Sequence, residues 1–200
     1  MNHKKYEKSA ASEKRTPGQR TDAMLKWLTK NKFWRDSRGV SALEFALILP
    51  LQITLIFGTV EISSLMIADR KLVSATSTTA DLVAQARAVS TSDVADIFLA
   101  GSAVIQPLDI SSLSFVVSSI VADAGGVTRI AWSEGNGAPA LAVGSIYALP
   151  PGLVAPNQSV IMVQSGYTYV SQLGRLITAP ITLTDRFFLA PRRSVSVQHL

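Results

Sequence analysis

Between residues 45 and 60 the chain carries no ionisable side chain, and its apolar character is broken only by Pro50, Gln52, Thr54, Gly58 and Thr59. A run of this kind is a helix in lipid or a helix in a core, and little else. As a helix it covers about 24 Å, somewhat less than a hydrocarbon layer of about 30 Å. The apolar pattern resumes after Glu61 at Ile62, Leu65, Met66, Ile67 and Ala68, so a helix starting here can cross a bilayer and emerge. Pro50 removes one helix hydrogen bond and is expected to bend it.

The flanks separate the two readings. Residues 1–39 hold eleven of the nineteen Lys and Arg against four acids, a net of +7, whereas residues 40–200 carry a net of −2. The sequence pI near 9.7 therefore describes a tail, not the folded part. A nucleic-acid binder carries its basic face on the folded domain, so nucleic acid is not expected as a partner. A basic flank on one side only predicts a cytoplasmic tail, a single span, and a remainder on the far side of the membrane. Residues 23–34 mix Lys26, Lys30 and Lys32 with Trp27, Phe33 and Trp34, a pattern suited to the anionic face of a bilayer. Charged residues make up only 16% of the chain, so most of it should fold or sit in lipid.

The helical period predicts one long helix from about 41 to 89, weakened at 74–79 by Ser and Thr. A second helix is expected over 93–105, capped by Thr91 or Ser92 and ended before Pro107. Strand patterns follow at 113–121, 127–133 and 159–172, with weaker ones at 187–189 and 194–198; turns are expected at 134–139 and 150–152. The predicted class is α+β: a long N-terminal transmembrane and stem helix followed by an antiparallel β-rich domain. Three regions result: a basic leader at 1–39, the span and stem at 40–90, and a folded domain at 91–200.

The most informative string is R-G-V-S-A-L-E-F at 38–45, followed by A-L-I-L-P, with F-G-T-V-E at 57–61. A glycine, four residues, then Glu-Phe at the mouth of an apolar helix resembles the processing site of type IV-type prepilins. Together the strings are similar to the TadE-like pseudopilins of the tight-adherence (Flp) pilus system, over residues 35–85. The resemblance implies a pilin-like fold in a bacterial inner membrane and cleavage by a prepilin peptidase between Gly39 and Val40. Its implied partners are that peptidase, other pilin and pseudopilin subunits, the assembly machinery and the bilayer. A glycine at the cut is expected to leave the bond extended and accessible, and losing the leader frees the helix of its cytoplasmic charge anchor.

Glu44, next to Phe45, becomes the fifth residue of the mature chain in this reading. An unpaired carboxylate near the apolar boundary costs about 2–3 kcal/mol or more, which pairing with the α-amine of Val40 on a neighbouring subunit offsets. A capping box, with Ser41 as N-cap and Glu44 three residues on, is the compatible local alternative. Glu61 is expected as an ordinary charge at the far boundary of the span, with a buried contact in an assembled complex as the sharper alternative. A long leader and a mature chain larger than a small major pilin favour a minor or assembly-related subunit.

The chain has no Cys, and its two His are His3 and His199, so thiolate chemistry is absent and histidine chemistry inside the fold is not expected. A related family carries a metal site with a D-x-S-x-S signature, but in D-I-S-S-L at 109–113 Leu113 stands where the last Ser belongs. Asp109 therefore reads as a turn residue, and neither metal nor cofactor is expected. The remaining acids lack paired spacing and no Gly-rich phosphate loop follows a strand, so no catalysis is expected. The alternative is a single-span accessory protein of a secretion or transport system with an uncleaved anchor.

Overall fold

The computed structural model describes residues 37–174 and 176–200; the basic tail and the amphipathic stretch at 23–34 lie outside the described residues. Helix α1 (Ser37–Gln85) continues through Pro50. Ser41 falls inside it rather than at its start, so the Ser41–Glu44 pair does not begin the helix. The chain divides into two units, Met1–Ile53 and Thr54–Leu200. In the first, residues 39–53 are helical and exposed throughout.

In the second unit, the Ser- and Thr-rich stretch of α1 does not break the helix. Thr76, Thr78 and Thr79 each donate 2.8 Å hydrogen bonds to the carbonyl four residues back, which satisfies their hydroxyls without unwinding the backbone. Thr76 and Thr79 are fully buried, and Thr76 Oγ1 lies 2.5 Å from Ser165 Oγ on the sheet. Helix α1 ends four residues before the expected boundary. The next residues form β1 (Ala88–Val89), which pairs in parallel with β6 (Gln198–His199). Of the strand expected at 194–198, only Gln198 is in a strand, as half of this short pair.

Helix α2 (Thr91–Ile105) is capped by Ser90, one residue before the expected caps. The Ser90 hydroxyl accepts from the Asp93 amide at 3.3 Å while the Asp93 carboxylate accepts from the Ser90 amide at 2.8 Å. Both orphan donors are thereby used.

Four strands follow: β2 (Ser114–Ala122), β3 (Thr128–Asn136), β4 (Ser159–Tyr169) and β5 (Ile181–Leu189). They form one antiparallel sheet in the order β3-β2-β4-β5. Strand β3 runs into the expected turn as far as Asn136, with Gly135 opposite Val116. Alternation splits the inner strands between two cores. Phe115, Val117, Ile161, Val163 and Tyr167 pack with α1 and α2, whereas Ile120, Ile130, Val160 and Met162 pack beneath the 137–158 connection through Leu141 and Tyr147. Phe98 stacks on Phe115 with ring centroids 5.9 Å apart. At Gly101 an added Cβ would collide with Thr79 Oγ1, so the glycine permits the close approach of α2 to α1. The architecture is α+β, a long apolar helix followed by an antiparallel sheet.

Candidate functional site

Gly39, Val40, Glu44 and Phe45 lie on the first turns of α1, and all four are exposed. Gly39 is helical rather than extended, which corrects the expectation for the cut site. The Gly39–Val40 bond nevertheless sits in the first turn, where the amides have no intrahelical acceptor and local unwinding costs least. No other group lies within 4 Å of the position a Cβ on Gly39 would take. Among the described residues, α1 is the one helix long and apolar enough to cross a membrane.

Gly58 and Glu61 sit lower on the same helix, within the unit Thr54–Leu200. Glu61 is only 1% exposed. Its Oε2 accepts from the Leu176 amide at 3.1 Å and from the Ile177 amide at 2.7 Å. The Leu176 side chain presses on Gly58, where an added Cβ would stand 3.0 Å from Leu176 Cδ1. Glu61 is thus not an exposed boundary charge but a carboxylate covered by its own chain. The covering segment comes 115 residues later, a separation that helical periodicity cannot register. The same contact explains why β4 stops at Tyr169 instead of 172: the chain leaves the sheet there to reach the helix.

Beside this clasp lies a cleft of about 510 Å³ whose walls include Val60, Glu61, Ile67, Asp109, Tyr167 and Leu173. Burial pushes the Tyr167 hydroxyl up from the usual tyrosine range, and the charges of Asp109 and Tyr169 add to it. Asp109 accepts from the Ser111 amide at 2.9 Å and the Ser111 hydroxyl at 2.7 Å; these bonds hold its carboxyl below the usual carboxylate range, the amide contributing most. The residue closes a turn, as its position after Pro107 predicts. The neighbouring groups offer binding contacts, apolar walls with a rim of hydroxyls and two acids, Glu61 and Asp109.

No curated protein and no solved structure matches the chain. Residues 39–81 match the family model described as TadE-like protein. The matched stretch begins at Gly39 and holds Glu44, Phe45, Pro50, Gly58 and Glu61. Over residues 39–81 the chain is similar to the TadE-like protein family, and its candidate membrane helix lies in that segment.

Proposed function

We propose that the chain is a membrane-anchored pseudopilin or minor pilin that takes part in assembling a tight-adherence (Flp) pilus. The observation that carries this reading is the family match beginning at Gly39, the residue where a prepilin peptidase would cut. In this reading residues 1–39 form a cytoplasmic leader removed by that peptidase, residues 40–90 are span and stem, and residues 91–200 form the periplasmic domain. Exposure of Gly39 and Val40 supports access by the peptidase once the first turn unwinds. Glu44 stands exposed on the helix one turn further on; it pairs with the α-amine of Val40 on a neighbouring subunit in low dielectric. The role is that of a subunit rather than a catalyst.

Gly39→Arg tests the processing step, because a long charged side chain at the cut cannot enter a site shaped for glycine. In cells holding the peptidase, wild type should yield a mature chain starting at Val40, and the variant should keep its leader. Glu44→Ala should still be cut but fail to join pili. N-terminal sequencing that finds an intact leader on the wild-type membrane protein would overturn the reading in favour of an uncleaved single-span accessory protein.

A further inference from the structure

Glu61 is the one ionisable residue between Phe45 and Asp69 on α1, and it does not face outward. Around it the helix surface stays apolar: Leu55, Ile56 and Val60 are exposed before it, and Ile62, Met66 and Ile67 after it. The polar side chains Thr59 and Ser64 donate to the carbonyls of Leu55 and Val60 at 2.8 and 2.9 Å, the arrangement a hydroxyl adopts where no water is available. With Glu61 covered, the apolar exterior runs from 45 to 67, about 33 Å of helix, which matches a hydrocarbon layer of about 30 Å where the shorter run to Val60 falls short. Asp69, Arg70 and Lys71 then supply the charged edge.

The segment that covers Glu61 is itself apolar outward. Val170, Leu173 and Leu176 are 64, 41 and 49% exposed, an uncommon grouping for a water-facing loop. Backbone amides at membrane depth need internal acceptors, and those of Leu176 and Ile177 have one in Glu61. The Gly174 amide has another in Ser171 Oγ at 3.2 Å.

We infer that residues 170–174, with Leu176 and Ile177, form a foot that dips into the lipid interface on the far side of the membrane, clipped to the span by Glu61. This rests on the reading of α1 as a membrane helix. The occupant of the exposed leucines is lipid, because the clasp fixes them at the depth of Gly58 and Glu61, continuous with the apolar surface of the span. Burying them adds apolar contact at the interface and fixes the depth at which the helix sits.

The chain has no Cys, so single labels can be placed cleanly. Full-length protein with an environment-sensitive fluorophore at Leu173→Cys, Val143→Cys or Leu49→Cys is reconstituted, one copy per disc, in phosphatidylcholine and phosphatidylglycerol nanodiscs. Nitroxides are carried either near the headgroup or near the chain end. The Leu173 label should emit blue-shifted and lose roughly half or more of its emission to the shallow nitroxide; the Val143 label, on the exposed 137–158 connection, should stay aqueous. Adding Glu61→Ala should return the Leu173 label to water while leaving the Leu49 label quenched by the deep nitroxide. A Leu173 label that behaves like Val143, or is shielded without lipid quenching, overturns the foot while the quenched Leu49 label keeps the span. A Leu173 label unmoved by Glu61→Ala overturns the clasp. An unquenched Leu49 label removes the membrane helix and the foot with it.

Discussion

Asp93 carries two hydrogen bonds from Ser90, one from its amide at 2.8 Å and one from its hydroxyl at 2.7 Å. These bonds hold its carboxyl below the usual range, the amide being the larger cause. A group whose folded pKa is depressed contributes stability above its unfolded pKa, near 4, and that contribution is lost as pH falls through the folded value. Asp109 behaves in the same direction through Ser111. The midpoint of unfolding of the detergent-solubilised chain should therefore drop on acidification below about pH 4, and Asp93→Asn should flatten that limb. An Asp93→Asn profile as steep as wild type would assign the acid sensitivity to other carboxylates. The roles proposed for Gly39 and Glu44 depend instead on a peptidase and on a neighbouring subunit, so the processing and assembly experiments test them.

At the scale of elements, the closest joint in the fold is α2 against α1 at Gly101. A methyl group there collides with Thr79 Oγ1, and Thr79 is fully buried. Gly101→Ala should cost about 1–3 kcal/mol in denaturant unfolding, and the double variant with Thr79→Ala should recover part of the loss. If the two losses simply add, the helices are not in contact at this point. The elements most legible in the sequence are those whose burial is periodic over many residues: the apolar helix, β2 and β4. Strand β5 was legible only at 187–189, because it lies at the sheet edge and Asp185 and Arg186 interrupt its apolar pattern. The β1–β6 pair could not be read because its two halves are far apart in sequence and two residues long each. At the candidate site, the motif around Gly39 was legible as a string and Glu61 as an anomaly. What covers Glu61 depends on a loop whose own sequence, S-Q-L-G-R-L-I-T-A-P at 171–180, carries no strand or helix period.

At the scale of the whole molecule, the proposed orientation rests on the asymmetry of charge. A net of +7 on residues 1–39 against −2 on the rest favours a cytoplasmic tail by the positive-inside rule. A phosphatase fused after Leu200, active only outside the cytoplasm, should therefore be active, and a silent fusion with normal protein levels would reverse the topology. The unit Thr54–Leu200 holds both the lower helix and the sheet, joined by the Ala68–Leu72–Ala75–Ala80–Val83 face and by the Glu61 clasp. A domain hung from a slack tether sweeps through many orientations, and any partner it meets must first halt that tumbling. Here the stem of the helix from Thr54 on is built into the core, so the sheet turns only as that stem turns. A partner meeting the domain finds stem and sheet already in one fixed arrangement, and association loses that much less rotational freedom.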